Sequence, residues 1–268
     1  MIDMGNVEES AVQIKNVKKK FKLDGKEIEV LENVTLDIKK GEFISIVGSS
    51  GCGKSTLLRM IAGLETTTEG EIMVGERVVD NPSLDVGMVF QESRLFPWMK
   101  TSENIRYGLT PEQKKTLSKT EQQEKIDRLI ELVGLQGFEN AWPRQLSGGM
   151  QQRASIARSL IANPDVLLLD EPFGALDAFN RINMQMEIIR IWEKEKKTMI
   201  MVTHDIDEAI FLADRVVVMS DKPGIVKEIF NVNLSRQRDR TSDVFSGLRK
   251  KIYSQFFESI DESIDYYI

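Results

Sequence analysis

The sequence is poor in the residues that build disulfides and metal clusters. Its 268 residues include one cysteine, Cys52, and one histidine, His204. Because a disulfide needs two thiols and a zinc cluster needs several His or Cys ligands, an internal disulfide, a His/Cys metal cluster and a pair of catalytic imidazoles are all excluded. The role of each of these two residues therefore has to be inferred from its own surroundings.

Long apolar runs and a surplus of basic residues are also missing. No window approaches the ~18 consecutive apolar residues of a spanning helix, and the first residues include acids where a secretory signal has a basic end. The net charge is −6, with 41% hydrophobic and 29% charged residues. This composition is typical of a soluble globular protein. It argues weakly against a nucleic-acid partner and predicts a protein that stays inside the cell.

Short apolar segments separated by turn residues predict strands on either side of a helical region. After residue 160 such strands alternate with helical stretches at 178–196 and 205–213, which predicts an α/β fold with a parallel sheet covered on both faces. The predicted strands are Val30–Ile38, Glu42–Val47, Glu71–Val74, Val86–Phe90, Asp165–Leu169, Thr198–Thr203 and Arg215–Met219.

Residues 92–160 are polar and helix-forming, which predicts a helical insert. Within it, Thr120–Val133 has apolar residues at helical spacing, Thr120 and Gln123 have the spacing of a capping box, and Gly134 ends the run. Residues 231–268 carry balanced charges, which predicts a solvated helix followed by a polar, aromatic-ended tail.

Residues 48–56 read GSSGCGKST and stand between a predicted strand and a helical segment. Glycines let the backbone N–H groups of such a loop converge on phosphate oxygens, beside the positive end of the helix. The complete motif favours nucleotide binding over a chance glycine-rich turn, with Lys54 on the β- and γ-phosphates and Ser55 on Mg²⁺. The predicted binding residues are Gly48, Ser49, Ser50, Gly51, Cys52, Gly53, Lys54, Ser55 and Thr56.

Cys52 lies inside this loop, where the end of a helix lowers the pKa of a thiol. Nucleophilic cysteine chemistry also needs a positioned base. We therefore predict a small residue that fills space rather than a reactive thiol.

Polar residues follow several of the predicted strands at their carboxyl ends. Asp170 and Glu171 end one strand, and Gln91 and His204 end two others. Since ligands of open parallel sheets bind beyond this edge, we expect these side chains to line one crevice with the loop. Asp170 is predicted to hold Mg²⁺, Glu171 to polarise the attacking water and His204 to contact the γ-phosphate. A solvated strand end and a surface histidine are the alternatives.

A second helix start combines Ser147 with Gly148 and Gly149, and its N–H groups form another anion-binding terminus. One nucleotide needs one such cradle. The spare one indicates a nucleotide held by another copy of the chain, although a simple helix cap remains an alternative.

Together, LSGGMQQR at 146–153, VLLLDEP at 166–172 and the upstream loop resemble the ATP-binding subunit of an ABC transporter over residues 10–230. The resemblance implies the ABC ATPase fold, a P-loop NTPase. It would have a RecA-like mixed or parallel sheet core, an N-terminal antiparallel β subdomain and an inserted α-helical subdomain at about 92–160. A short C-terminal helical tail over 231–268 would follow.

The resemblance also implies ATP and Mg²⁺ as cofactors and assigns further roles. Ser147 and Gly149 would clamp the ATP of a second copy, and Ala175–Asp177 would form the D-loop, with Asp177 contributing to the nucleotide site. Phe21 would stack on adenine, although a core or surface aromatic is nearly as good an interpretation. The implied catalytic residues are Glu171, His204, Lys54 and Gln91, and the implied metal ligands are Ser55, Gln91 and Asp170.

Residues 89–105 are most similar to ATPases of nitrate, sulfonate and taurine importers. The implied function is ATP hydrolysis in a homodimer at the cytoplasmic face of the membrane. It would energise separate permease subunits and, indirectly, an external solute-binding protein. Gln91 and the apolar residues 95–99 would report the nucleotide state to the permease, unless those residues are core of the helical subdomain. Met150 stands where many such signatures carry Gln, and the resemblance leaves Glu258–Ile268 unexplained.

Two other functions are alternatives. A soluble ABC-type ATPase of DNA repair or translation is disfavoured, because neither very long coiled coils nor a second cassette is present. A non-hydrolysing regulator is disfavoured because Glu171 and His204 are both there.

Overall fold

The computed structural model describes residues 9–23, 25–174, 176–236 and 238–256. The strands are β1 (Ser10–Leu23), β2 (Lys26–Lys39), β3 (Phe43–Val47), β4 (Glu69–Val74), β5 (Arg77–Val78), β6 (Val86–Val89), β7 (Val166–Asp170), β8 (Thr198–Thr203), β9 (Arg215–Met219) and β10 (Val226–Asn231). The helices are α1 (Lys54–Ile61), α2 (Thr101–Tyr107), α3 (Pro111–Thr116), α4 (Lys119–Leu132), α5 (Gly148–Leu160), α6 (Ala178–Glu195), α7 (Ile206–Leu212) and α8 (Asp243–Ser254).

A six-stranded sheet forms the centre, in the order β10-β9-β3-β8-β7-β6. Its strands pair in parallel except for the antiparallel edge strand β10. Every residue of β3, β7 and β8 is buried, as expected for parallel strands whose two faces are both covered. The predicted parallel sheet is thus confirmed, and its carboxyl ends meet at one edge.

The two faces of the central sheet pack against different layers. In β3, Phe43 and Val47 join a core with the helices, whereas Ile44 and Ile46 join a second core. That second core contains α1 and the antiparallel sheet β2-β1-β4-β5. This alternation follows from the two-residue period of a strand. The predicted antiparallel β subdomain is confirmed.

The helical insert consists of α2 to α5, between β6 and β7. The predicted capping box at Thr120 and Gln123 is wrong. Ser118 caps α4 instead: its hydroxyl accepts from Glu121 N at 3.2 Å, and the Glu121 carboxylate accepts from Ser118 N at 2.7 Å. Both pairs have the required spacing, but Ser118 is the residue with the extended backbone that a cap needs. Gly134 follows the helix with a φ of +62°, as predicted for a helix stop.

The C-terminal helix α8 is largely exposed, as its charges predict, but it also has one buried face. Phe245 and Ile252 are seven residues apart, share one face and are fully buried in the core on the helical side. These two apolar side chains hold one face of α8 in the core, and the helix packs against α7. The unexplained end Glu258–Ile268 lies outside the described residues, as does Ala175. In the described part of the chain, no helix is both long and apolar enough to cross a bilayer.

Candidate nucleotide site

The phosphate loop connects β3 to α1 along the predicted path. Gly53 has a φ of +103° and precedes the first residue of α1. A Cβ there would lie 2.6 Å from Leu31 Cδ2, so both the backbone angle and the close approach of β2 require glycine. Because the cap residue has no side chain, the first N–H groups of α1 are left for a ligand.

Lys54 lies within the loop itself. Its Nζ donates to the carbonyl oxygens of Gly48 and Ser49, both at 2.8 Å, and the side chain is 5% exposed. The ammonium group therefore stands among the loop carbonyl groups, a position from which a cation can balance the negative charge of a phosphate.

Ser55 and Asp170 join the loop to β7. The Ser55 hydroxyl donates to Asp170 Oδ1 at 2.7 Å. A hydroxyl, a carboxylate and the amide oxygen of nearby Gln91 are oxygen donors of the kind that Mg²⁺ prefers. These residues therefore fit the ion that the sequence predicts, and Asp170 is itself buried.

Glu171 brings two other strand ends together. Its Oε2 lies 3.5 Å from Gln91 Nε2 and 3.5 Å from His204 Nδ1. Its backbone has a φ of +44°, in the left-handed region, and its N–H donates to Val202 O at 3.0 Å. A non-glycine residue in this region stores strain of roughly 1–3 kcal/mol. The turn directs Glu171 towards His204 and Gln91, while Asp170 points to Ser55.

His204 follows β8 and precedes α7. Its side chain is 61% exposed, which leaves the imidazole accessible to a ligand. Asp205 caps α7 by accepting from Glu208 N at 3.1 Å.

Cys52 is buried beside the loop backbone. Its side chain is 1% exposed, and a Cβ at Gly48 would lie 2.8 Å from its Sγ. Burial raises the pKa of the Cys52 thiol, and the charge of Lys54 only partly opposes this. A raised pKa lowers the thiolate fraction at neutral pH and favours the space-filling interpretation over a reactive thiol.

The signature residues form a separate anion-binding terminus. Ser147 caps α5 by accepting from Met150 N at 3.3 Å, and Gly148 and Gly149 form its first turn. Ser147 and Gly149 line a cleft of about 330 Å³ between α5 and α6. The structure thus places this terminus in a different cleft from the phosphate loop.

Two other predicted residues lie outside the cluster around Glu171. Asp177 caps α6 by accepting from Asn180 N at 3.1 Å and from its side-chain amide at 2.6 Å. These bonds lower the pKa of Asp177. Phe21 lies opposite Ile28 in the β1–β2 pair, with Lys19 Nζ 4.7 Å from its ring centroid.

Two residues of the site, Asp221 and Gly174, were not predicted from the sequence. Asp221 Oδ1 accepts from the Ser49 hydroxyl at 2.5 Å. Gly174 packs closely against Gln91, since a Cβ at Gly174 would lie 2.9 Å from Gln91 Nε2. Asp221 closely follows β9, which pairs with β3, so the rule about carboxyl ends of parallel strands was the signal that could have found it.

Comparison with known proteins identifies the family. The family model for ABC transporters matches residues 31–174. The chain belongs to the ABC transporter family. An aliphatic sulfonates import ATP-binding protein, SsuB from Bacillus cereus, is 47% identical over 245 residues, covering 91% of this chain and 95% of that protein. The Bacillus subtilis SsuB is 45% identical over 251 residues, covering 94% and 96% of the two chains.

A solved structure supports the same conclusion for this ABC ATPase. The dimeric post-hydrolysis structure of the ATP-binding cassette MJ0796, bound to ADP and Pi, is 35% identical with a TM-score of 0.73. The match covers 84% of this chain and 100% of that one. The predicted ABC ATPase fold, the ATPase activity and the resemblance to importer ATPases are therefore confirmed.

Proposed function

We propose that this ABC ATPase hydrolyses Mg·ATP between two copies of the chain and drives the import of a small solute through separate permease subunits. The observation that carries the proposal is the convergence of Gln91 and His204 on the Glu171 carboxylate. This cluster adjoins the Ser55–Asp170 pair because Glu171 directly follows Asp170.

The roles of the side chains follow from their charges and positions. Lys54 and the loop N–H groups neutralise the phosphate charge, while Ser55, Asp170 and Gln91 hold Mg²⁺. The bound ion supplies further charge neutralisation on the phosphate oxygens. Positioning and electrostatics account for most of the rate enhancement in this kind of reaction.

Glu171 and His204 act on the transferred group. The Glu171 carboxylate accepts a hydrogen bond from the attacking water and orients it, as a general base does. Since Nδ1 of His204 faces Glu171, the other ring nitrogen is left to donate to the γ-phosphate. Replacement of either side chain should lower kcat more than it raises KM.

The second anion-binding terminus supports the homodimer. Ser147 and the first turn of α5 line a cleft that this chain's own phosphate loop does not enter. A nucleotide bound by another copy is therefore the natural ligand of this helix start. The related cassette MJ0796 is described as dimeric with ADP and Pi. Asp177, at the start of α6, joins the same interface in this proposal.

Aromatic residues of the helical subdomain form the surface proposed for the permease. The Phe96 ring lies 5.5 Å from Trp98 and 4.6 Å from Tyr107, between centroids. Trp98 is 67% exposed, whereas Leu95 packs against the core. Arg158 ties this segment to the chain after Gln91 by donating to Ser93 O at 3.0 Å and Arg94 O at 2.8 Å. Movement of Gln91 would thus reach the aromatic surface.

The solute class comes from the relatives. Both Bacillus proteins are named for the import of aliphatic sulfonates, so we propose a sulfonate, nitrate or taurine-like solute. An external binding protein would deliver it. The ATPase would then work at the cytoplasmic face of the membrane, held there by the permease.

The variant Glu171→Gln tests the proposal. It removes the carboxylate charge but keeps the shape, so hydrolysis should fall by about a hundredfold or more while Mg·ATP still binds. Light scattering should show the variant as a dimer with Mg·ATP. Undiminished turnover would contradict the role of Glu171. Purification of the wild-type ATPase from cells under native expression without any permease subunit would favour the soluble alternative.

A further inference from the structure

The backbone on both sides of His204 is held by one side chain. The Thr203 hydroxyl accepts from Asp205 N at 3.0 Å and donates to Glu208 Oε2 at 2.8 Å. Asp205 in turn accepts from Glu208 N at 3.1 Å. These three hydrogen bonds tie the residues on both sides of His204 to Glu208.

The second oxygen of Glu208 is held by helix α6. Gln185 Nε2 donates to Glu208 Oε1 at 3.2 Å, and both side chains are buried. Arg181 Nε, also on α6, lies 3.7 Å from the same oxygen, and its Nη1 lies 3.9 Å from Asp205 Oδ2. Burial raises the pKa of Glu208. A buried carboxylate is costly unless its oxygens are bonded, so each donor matters.

The side-chain oxygen of Gln185 contacts the C-terminal segment, which we define as the residues between β10 and α8 (232–242). The Arg240 guanidinium donates to Gln185 Oε1 and lies 4.3 Å over the Phe211 ring of α7. An amide has one accepting and one donating end. With Arg240 on its oxygen, Gln185 is obliged to present its N–H₂ group to Glu208.

A neighbouring arginine, Arg236, contacts the carboxyl-terminal end of α7. Arg236 donates to Leu212 O and pairs with Asp214. Its guanidinium also lies 4.0 Å over the Trp192 ring. Arg236 is therefore bonded around the end of α7, away from the hydrogen bond between Thr203 and Glu208. The chain offers a matched control arginine within the same segment.

We propose that Arg240 and Gln185 are positioning residues for His204, acting through Glu208 and Thr203. The hydrogen-bonded route is Arg240, Gln185, Glu208, Thr203 and the backbone at His204. The inference rests on the proposed role of His204 in hydrolysis. It gives the C-terminal segment a part in the reaction that its charges alone do not indicate.

The variant Gln185→Glu isolates the central link. It keeps the side-chain volume and still accepts from Arg240, but it replaces the donor towards Glu208 with a second carboxylate. A purely structural pair predicts lower stability, because two buried carboxylates then face each other, but an unchanged kcat in the protein that folds. A positioning role predicts a kcat for ATP lower by about tenfold with little change in KM, since small misplacements of a catalytic group are costly.

His204 provides a readout that does not depend on turnover. Because it is the only histidine in the chain, its imidazole NMR signals are assigned without ambiguity. In the full chain without nucleotide, Gln185→Glu and Arg240→Gln should both shift these signals. Arg240→Lys keeps a charged donor and should restore the signals and kcat partly. Arg236→Gln is expected to lower the melting temperature without moving the His204 signals.

The outcomes separate this inference from the proposed function. Wild-type His204 signals and wild-type kcat in a folded Gln185→Glu protein would overturn the positioning role. If that protein does not fold, the same result with Arg240→Gln would overturn it. If His204→Ala keeps full ATPase activity, the proposed function of His204 fails. The shifts of the His204 signals would then still report the positioning itself.

Discussion

The Ser55 hydroxyl donates to the Asp170 carboxylate at 2.7 Å, across 115 positions of sequence. This bond joins the start of α1 to the end of β7, the two elements that supply the phosphate loop and the acid pair. Side chains that hold each other in this way are preorganised to share one cation, since neither has to move to meet it.

Asp170→Asn should raise the Mg²⁺ concentration that hydrolysis requires. The amide still accepts from Ser55 but loses the charge that attracts the ion, so the apparent Mg²⁺ affinity should fall by about 10–100-fold. A titration of ATPase rate against Mg²⁺ at saturating ATP measures this. Asp165 is exposed and directly precedes the first residue of β7. The control variant Asp165→Asn should therefore give the same Mg²⁺ titration as the wild type. Equal Mg²⁺ affinities in all three proteins would contradict the metal role.

The His204 imidazole should respond to nucleotide. Mg·ATP places negative phosphate charge near a ring that lies 3.5 Å from Glu171, which should shift the NMR signals of this ring. The measurement is a titration of the histidine signals with Mg·ATP. Lys54→Ala, which removes the loop cation, should abolish the shift. Unchanged signals in wild-type protein that binds ATP would contradict the site.

Gly174→Ala should impair catalysis without unfolding the protein. The added Cβ would lie 2.9 Å from Gln91 Nε2, so the flexible amide has to move away from Glu171. We expect kcat to fall by about tenfold at an unchanged melting temperature. A Cβ at Gly247 in α8 meets nothing within 4 Å. Gly247→Ala therefore serves as the control, with unchanged kcat and a helix stabilised by up to about 1 kcal/mol. Full activity of Gly174→Ala would show that the Gln91 position is not critical.

Cys52 should react slowly with thiol reagents. Burial raises its pKa above the usual range for a thiol, so at pH 7 the protonated form dominates, and the thiolate increases only as pH rises through this higher value. Labelling of the single cysteine by iodoacetamide, followed by mass spectrometry, should be at least about tenfold slower in folded protein than in urea. Cys52→Ala should keep its ATPase rate within about twofold, as expected for a space-filling residue. Fast labelling at neutral pH would contradict the space-filling role and support a reactive thiol.

Much of the site could be predicted because its residues stand at the ends of short, continuous patterns. The motif at 48–56 needs only its own glycines and the flanking strand and helix. Asp170, Glu171, Gln91 and His204 each end an apolar run, and the rule that parallel strands end at one edge brings them together. The predicted capping box of α4 was wrong for a local reason, because the pairs Thr120–Gln123 and Ser118–Glu121 have the same spacing and overlap in the sequence.

Local sequence predicted seven of the ten strands in the described residues, the phosphate loop and the signature helix, since hydrophobic period, glycine positions and capping residues act within a few residues of each other. Only the tertiary structure decided which side chains meet. Ser49 and Asp221 are 172 positions apart, and Arg240 and Gln185 are 55 apart. The burial of Phe245 and Ile252 likewise depends on the surface of α7. Such contacts are set by the packing of whole elements. The strand pattern could place Asp221 at the edge of the sheet that holds the loop, but not its contact with Ser49.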